Sequence, residues 1–231
     1  MNKNTTVDYQ DWRYERKIRV DTLGVRGLEA LILSNKAFFR TLHAERRVNN
    51  IYFDDDDFNC FFSNVDGNAA REKFRIRWYG DVFGDICNPI LEIKIKDALV
   101  GSKKRFRLND FNLNRSMKKN PIKKALEGLD TSLSIRSDIK RLRPTLINSY
   151  IRRYYISSDG KYRLTLDYDL EFYKFEAVSR TILSKRSQPG LVVEIKYDVK
   201  DDSGVDEVTN DLLFRITKNS KYATGVEITQ Y

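Results

Sequence analysis

Hydrophobic and polar residues alternate along much of this chain with the two-residue period of a β-strand. The clearest stretch is 71–80, where four cations share one face and three large apolar side chains share the other. The cations are Arg71, Lys73, Arg75 and Arg77, and the apolar residues are Phe74, Ile76 and Trp78. Cations on alternate positions of a strand lie about 7 Å apart, so they repel one another unless water or an anion intervenes. Taken alone, the stretch fits either a solvated sheet face or an anion-binding face.

About seven of the nine strand candidates follow the same rule, with an apolar or aromatic face opposite a face rich in arginine and lysine. The candidates cover residues 13–20, 46–54, 71–80, 90–96, 103–108, 145–157, 162–170, 171–178 and 191–199. Single glutamates interrupt the cationic faces at Glu15, Glu92 and Glu194. This repetition favours one shared anion-binding surface over a set of independent solvated faces.

Helices are predicted between the strands from apolar residues at helical spacing. They cover residues 21–32, 36–42, 60–62, 110–137 and 206–216. A basic loop is predicted over 184–190, and Asp159-Gly160 predicts a hairpin turn. The only histidine, His43, falls in a segment of helical character and is predicted to be a surface or half-buried helix residue.

Composition narrows the class of protein. The chain has 231 residues, 41% of them hydrophobic, and no repeat or linker divides it. We therefore expect a polar N-terminal arm over residues 1–12 and a single domain over 13–231. The 42 Lys and Arg residues outnumber the 33 Asp and Glu residues, and the net charge of +9 favours a polyanionic partner. That partner could be nucleic acid, an anionic membrane surface or a phosphorylated molecule.

The location of the protein is predicted from what the sequence lacks. Cys60 and Cys87 are not spaced as metal ligands, and no stretch has the length of a signal peptide or a membrane span. We expect a soluble, cytoplasmic protein, with membrane association only through a partner protein. The sequence leaves the oligomeric state open.

The fold predicted from these patterns is α+β. It is a closed antiparallel β-barrel of about eight strands, whose apolar outer face is covered by helices. Closing the sheet brings the cations of many strands into one lumen, where their repulsion requires a bound polyanion. The lumen is therefore predicted to bind phosphate groups, which arginine contacts with two parallel hydrogen bonds and lysine with a compact charge.

The glutamates of the predicted lumen have two interpretations. A divalent cation such as Mn²⁺ or Mg²⁺ could bridge a carboxylate to phosphate oxygens. Alternatively, each glutamate neutralises the lysines and arginines around it. Both remain open for Glu15 and Glu92, and metal binding is favoured for Glu194.

Seven short motifs occur in the order expected of a known family, and together they span residues 13–225. The motifs are Arg-Tyr-Glu15-Arg-Lys17, Arg75-Ile-Arg77-Trp-Tyr-Gly, Leu-Glu92-Ile-Lys94-Ile-Lys96, Tyr150-Ile-Arg152, Tyr-Arg163-Leu-Thr-Leu-Asp167, Val-Val-Glu194-Ile-Lys196-Tyr and Lys218-Asn-Ser-Lys221-Tyr222. The set resembles the VTC domain, the polyphosphate polymerase domain of the vacuolar transporter chaperone family. That family is a branch of the triphosphate tunnel metalloenzymes, also called CYTH-like proteins.

The resemblance implies an ATP-dependent polyphosphate polymerase that uses a divalent metal, Mn²⁺ or Mg²⁺. Its partners would be ATP and inorganic polyphosphate, and no nucleic acid is expected because the aromatic residues mostly lie opposite the cations. The phosphate-binding residues that it implies are Lys17, Arg75, Arg77, Lys94, Lys96, Arg105, Arg152, Arg163, Lys196, Lys218 and Lys221, with Arg105 the least secure match. Arg75, Arg77, Lys218 and Lys221 are the candidate catalytic residues, and Glu194, Glu15 and Glu92 are the candidate metal ligands.

One departure from the wider superfamily bears on the activity. The first strand there carries Glu-x-Glu-x-Lys, whereas this chain has Arg13 in place of the first glutamate. Losing a carboxylate weakens the triphosphatase and cyclase interpretations relative to the polymerase. Two alternatives stay open: a metal-dependent triphosphatase acting in the same tunnel, and a polyphosphate-binding module without catalytic activity.

Overall fold

The alternating stretches form long strands in the computed structural model, which describes residues 13–69, 71–97, 100–117 and 120–230. The predicted arm, residues 1–12, lies outside the described residues. The strands are β1 (Arg13–Val20), β2 (Arg40–Asp54), β3 (Arg71–Tyr79), β4 (Gly84–Ile86), β5 (Ile90–Asp97), β6 (Val100–Arg107), β7 (Phe111–Leu113), β8 (Arg143–Ile156), β9 (Arg163–Glu176), β10 (Thr181–Gln188) and β11 (Leu191–Asp198). The α-helices are α1 (Val25–Ser34), α2 (Asn59–Val65), α3 (Pro121–Glu127), α4 (Leu133–Arg141), α5 (Val205–Asn210) and α6 (Lys221–Gln230). A 3-10 helix, Val199–Gly204, precedes α5.

Nine of the described strands form one antiparallel sheet in the order β10-β9-β11-β1-β6-β5-β3-β2-β8. β8 also pairs with β9, so the pairing runs around a ring of eight strands and returns to β9. Among the described residues, β1 and β6 are joined by one residue pair, Arg13 with Gly101. The predicted α+β fold, a strongly curled antiparallel sheet with packed helices, is confirmed.

The outer face of the sheet carries two apolar clusters that hold helices against it. Ile76 and Trp78 of β3 belong to a cluster that also includes Ile122 of α3. On another side, Leu28 and Ile32 lie one turn apart on α1 and are fully buried in a second cluster. The helices therefore cover the apolar face that the sequence pattern predicts.

Helix α6 packs differently, against residues that share the inner face of the barrel. Tyr222 and Val226 cluster with Val48 and Tyr52 of β2 and with Leu146 of β8. These strand residues alternate in phase with inner-face polar residues of the same strands. One end of the barrel interior is therefore apolar and filled by α6, whereas the prediction placed all the helices outside.

Long-range pairing overrides three local predictions. The second predicted helix is wrong, because residues 40–42 begin β2 and pair with the end of β8. His43 consequently lies on an exposed part of β2, and the predicted basic loop over 184–190 is largely β10. The predicted helix 206–216 ends at Asn210 in the structure.

A bulge explains why β9 looked like two strands in the sequence. Asp169 has a φ of 51°, and the register between β8 and β9 shifts there, between Ser149 and Ile151. The extra residue moves Leu170 and Phe172 to the same face as Asp167. The alternation of inner and outer residues therefore shifts by one position at Asp169. A strict two-residue period predicts two strands at such a shift rather than one.

No described helix has both the length and the apolar character needed to cross a membrane.

Candidate functional site

The inner face of the barrel collects the alternate polar residues of eight strands. β3 contributes Arg75 and Arg77, and neighbouring strands direct residues of both charge signs toward them. Arg75 contacts the hydroxyl of Tyr52 at 3.4 Å, and the Nε of Arg77 donates to Asn50 Oδ1 at 3.0 Å. The row of like charges predicted for β3 therefore faces into the barrel, where the carboxylates of other strands offset it.

Glu92 is the counter-charge of four cations. Its carboxylate accepts from Arg75 at 2.7 Å and lies 3.5 Å from Arg77, 3.3 Å from Arg105 and 4.0 Å from Lys103. Burial raises the pKa of Glu92, but Arg77, Arg75 and Lys103 hold that pKa well below its usual range. Burial lowers the pKa of Lys103 to about 7 in spite of Glu92. Glu92 thus stays ionised, whereas Lys103 can lose its proton near neutral pH.

A second charge cluster joins β1 and β11. Lys17 Nζ lies 2.7 Å from Glu15 and 3.9 Å from Glu194, and it also donates to the carbonyl of Asn219 at 3.0 Å. Lys196 pairs with Glu194 at 2.5 Å. The antiparallel register causes this arrangement, because it sets Lys17 opposite Glu194 and Glu15 opposite Lys196.

The two carboxylates of this cluster influence each other. Burial and the neighbouring Glu15 raise the pKa of Glu194. The cations Lys196, Lys17 and Arg152 together lower it by more, so the pKa of Glu194 lies below its usual value. The pKa of Glu15 is likewise raised by burial and brought well below its usual range by Lys17, Lys94 and Lys196. Lys94 itself pairs with Glu15 at 2.9 Å, yet burial lowers its pKa to about 8.

Asp167 holds the third cluster. It is fully buried and accepts two hydrogen bonds from Arg152, at 2.5 and 2.7 Å. Lys221, the first residue of α6, has its Nζ 2.5 Å from Asp167 Oδ2, the oxygen that also accepts from Nη2 of Arg152. Burial raises the pKa of Asp167, and Arg152 and Lys221 lower it to below its usual value. Asp167 therefore connects the N-terminus of α6 to the barrel wall.

Lys73 differs from the other lumen cations, because in the described residues no carboxylate lies within ion-pair distance of its amine. Its Nζ contacts the hydroxyl of Ser220 at 2.9 Å and lies 5.9 Å from the centre of the Tyr222 ring. Burial lowers the pKa of Lys73 to well below its usual value, and Lys17 and Lys94 lower it further. This amine is held among cations and binds its proton weakly.

Most of the predicted site residues converge, and three lie at the margin of the group. Lys17, Arg75, Arg77, Lys94, Arg152, Lys196, Lys221 and the three glutamates all lie in the three clusters. Arg105 joins them through Glu92, with 38% of its side chain exposed. Arg163 and Lys218 are exposed at the ends of the barrel, and Lys96 lies in β5 with its side chain outside the described part of the structure.

The carboxylates differ in how well they would suit a divalent cation. Glu15 and Glu194 lie close enough to share Lys17, and a pair of carboxylates completed by phosphate oxygens is a donor set typical of magnesium. Glu92 is surrounded by four cations instead. The described residues contain no group of three or more metal-ligating side chains. The donor chemistry thus fits a metal held at Glu15 and Glu194, with the remaining ligands from the substrate.

Sequence reasoning missed several contributors to the site, among them Lys103, which lies 4.0 Å from Glu92. Asp167 appeared only as the end of a motif, although its position in phase with Arg163 was a signal for the inner face. Tyr52 and Asn50 lie within the strand predicted over 46–54, where the alternation does not mark them as site residues. Nothing in the local sequence reveals that Lys221 reaches Asp167, since the two residues are 54 positions apart.

The sequence model of a family described as the VTC domain matches residues 7–230. The solved structure of the PH1819 protein from Pyrococcus horikoshii OT3 is similar, with a TM-score of 0.53 and 14% identity over 93% of this chain and 99% of that chain. A candidate adenylate cyclase from Vibrio parahaemolyticus gives a TM-score of 0.51 and 10% identity over 91% and 95%. At these identities the two structures establish a shared fold.

Proposed function

The chain belongs to the VTC-domain family, and on that premise we propose that it transfers the terminal phosphoryl group of ATP to a polyphosphate chain inside the barrel. The observation that carries the proposal is the convergence of Arg75, Arg77, Arg152 and Lys221 on one lumen. Each of these cations is paired with a buried carboxylate, so the cationic groups are held in position before substrate binds. A phosphate chain would take over part of this pairing.

The residues support phosphoryl transfer without a general base. Such transfer depends mainly on positioning and on stabilising negative charge, and the end of a polyphosphate chain is already an oxyanion. In the proposal, Arg75 and Arg77 hold the phosphate oxygens of one side, and Arg152 and Lys221 hold those of the other. Lys17, Lys94 and Lys196 extend the binding surface along the chain of phosphates.

Glu194 and Glu15 are the residues that we propose to hold Mn²⁺ or Mg²⁺. The bound ion would supply positive charge to the phosphate oxygens, as it does in other phosphoryl-transfer sites. The paired lysines keep both carboxylates ionised, which is the state that a cation requires. Glu92 is proposed as the counter-charge of its four cationic neighbours.

An activity assay with chain-length analysis tests the proposal. The protein is incubated with ATP and either Mn²⁺ or Mg²⁺, and the phosphate products are separated by length. A long acid-labile phosphate chain is expected. Release of orthophosphate alone would contradict the polymerase and leave the triphosphatase.

The double variant Arg75→Ala, Arg77→Ala is expected to lose activity by at least about 100-fold, because two of the proposed phosphate ligands are removed. Arg136→Ala, on the exposed face of α4, is the control and should keep full activity. Thermal melting establishes that both variants are folded. Turnover of the double variant at the rate of the control would refute the tunnel assignment.

Triphosphate hydrolysis is the second candidate for the same site. The packing of α6 into one end of the barrel favours it, because Tyr222 and Val226 fill space through which a long chain could otherwise pass. The polymerase and the triphosphatase share the proposed phosphate ligands, so only the products separate them. A polyphosphate-binding module without activity would retain binding of the polymer and give neither product.

A further inference from the structure

Three side chains form a stack at one mouth of the barrel. The guanidinium of Arg46 lies between two tyrosine rings, 5.0 Å from the centre of Tyr79 and 4.9 Å from the centre of Tyr154. His43 adds an edge-on contact to Tyr154, with ring centres 5.7 Å apart. Strands β2, β3 and β8 therefore each contribute to one aromatic and cationic surface.

The stack is exposed at the ends of its strands. Inner-face residues nearer the middle of the same strands, such as Tyr150 and Arg152, are buried. Tyr79 is 45% exposed, and Arg46 is also exposed. Within the described residues no carboxylate lies at ion-pair distance from Arg46. In the described part of the chain its guanidinium thus contacts two tyrosine rings; the guanidinium and Tyr79 are exposed, and Tyr154 is half-buried.

The position of the stack relates it to the phosphate-binding residues. Tyr79 follows Arg77 by two residues on β3, and Tyr154 follows Arg152 by two residues on β8, so each tyrosine shares the face of its arginine. Two residues of a strand span about 7 Å. Arg46 is paired in register with Arg152 itself. The aromatic surface therefore lies one step outward from two of the proposed phosphate ligands.

We propose that Tyr79, Arg46 and Tyr154 bind the nucleobase of a nucleoside triphosphate whose phosphates lie against Arg77 and Arg152. This inference rests on the proposed function. These three residues would allow the protein to distinguish a nucleotide from an inorganic phosphate polymer. The base stacks on the exposed ring of Tyr79, the guanidinium of Arg46 adds cation–π attraction, and the ribose spans the step between the tyrosine and arginine layers.

The chemistry of stacking predicts a preference among nucleotides. A purine has a larger ring surface than a pyrimidine, so ATP and GTP should bind more tightly than UTP and CTP. No described contact at the stack supplies the paired donors and acceptors needed to separate adenine from guanine. The surface should therefore select purines as a class.

Binding measurements with two probes test the inference directly. Titration calorimetry is performed with ATP and with inorganic tripolyphosphate on the wild-type chain and on Tyr79→Ala and Tyr154→Ala. Each substitution is expected to weaken ATP binding about tenfold, as loss of one stacking ring does, and to leave tripolyphosphate binding within about twofold. Tyr79→Phe and Tyr154→Phe keep the ring and should bind ATP like the wild type, and melting curves establish that all four variants are folded.

The outcomes separate this inference from the proposed function. Equal losses for ATP and tripolyphosphate, or no loss for either, would overturn the nucleobase site. Equal affinity of the wild type for purine and pyrimidine nucleotides would also count against it. If the variants behave as expected but the wild type makes no polyphosphate from ATP, the nucleobase site stands and the polymerase proposal fails.

Discussion

The inner surface of this protein is built from side chains of opposite charge that hold one another in place. Asp167, Glu92 and Glu194 are each at most 7% exposed, and each contacts at least two cations. Burying one member of such a group without its partners costs several kcal/mol. The carboxylates therefore determine where the arginines and lysines point in the absence of substrate.

Replacing Asp167 by Asn tests whether the buried carboxylate stabilises the cations around it. Arg152 and Lys221 would keep their charges and lose their counter-charge, so the free energy of unfolding should fall by about 3 kcal/mol. Added tripolyphosphate should restore part of that loss, because phosphate can serve as the new counter-charge. Urea denaturation with and without tripolyphosphate measures both effects.

Asp56→Asn is the matched control for this variant. Asp56 pairs with Arg143 at 2.9 Å on the surface, with more than half of each side chain exposed. Its loss should change the unfolding free energy by less than about 1 kcal/mol. An equal effect of the two substitutions would contradict the importance assigned to Asp167.

Lys73 makes phosphate binding depend on protons. Its pKa is well below the usual value because it is buried and because Lys17, Lys94, Arg71 and Arg75 face it, whereas Ser220 and Tyr222 on the other side are neutral. A bound anion would reverse this environment and raise the pKa of Lys73. Binding of tripolyphosphate at a pH between the lowered pKa of Lys73 and the usual lysine value should therefore take up protons, which titration calorimetry in buffers of different ionisation enthalpy detects.

The variant Lys73→Met should take up fewer protons on binding than the wild type, whereas Lys123→Met on the surface of α3 should not differ.

The lowered pKa of Lys73 also predicts how the stability of the free protein changes with pH. The folded chain binds fewer protons than the unfolded one between the lowered pKa of Lys73 and the usual lysine value near 10.4. The unfolding free energy of the wild type should thus rise with pH relative to that of Lys73→Met in that window, and an equal pH dependence of the two proteins would contradict the lowered pKa of Lys73.

Helix α6 is the element that closes one end of the barrel and carries Lys221 into the site. Gly225 allows its close approach, because a Cβ at this position would overlap the side chain of Leu146 and lie 2.5 Å from Cδ1 of Phe172. The hydroxyl of Tyr222 donates to Asp54, which also accepts from the backbone of Cys60 and Phe61 at the start of α2. The position of α6 is thus determined by packing and by one buried carboxylate.

Gly225→Ala should displace α6 and lower the free energy of unfolding by about 1–3 kcal/mol. Tripolyphosphate affinity should fall as well, because Lys221 moves with the helix. Gly24→Ala is the control, since a Cβ there meets no atom within 4 Å. Chemical denaturation and calorimetry measure the two effects. If Gly225→Ala is destabilised but binds tripolyphosphate like the wild type, the position of α6 does not affect binding.

The barrel as a whole combines a net charge of +9 with a lumen of partly desolvated cations. Polyanions should therefore stabilise the folded state. Tripolyphosphate at about 100 times its dissociation constant adds about 2.7 kcal/mol, which corresponds to a rise in Tm of roughly 5–11 °C for a chain of this size. Thermal melting at increasing salt should show this rise becoming smaller, because salt screens the attraction.

Local sequence patterns predicted the parts of this structure that neighbouring residues decide. The alternation over 71–80 predicted both β3 and the common face of Arg75 and Arg77, and helical spacing predicted α1. The predictions failed where distant residues decide. Pairing with β8 makes a strand of residues 40–42, and the bulge at Asp169 joins two predicted strands into β9.

The sequence by itself determined the phase of the charges: which residues of each strand share a face, and hence which side chains could meet if the sheet curled. Only the tertiary structure decided which charges pair, since Asp167 meets Lys221 and Arg75 meets Glu92 through the register of strands and the docking of α6. It also decided that Arg46 lies between Tyr79 and Tyr154, three residues from three strands. The physical reason is that alternation is a property of one strand, whereas ion pairs and ring contacts depend on distances between strands.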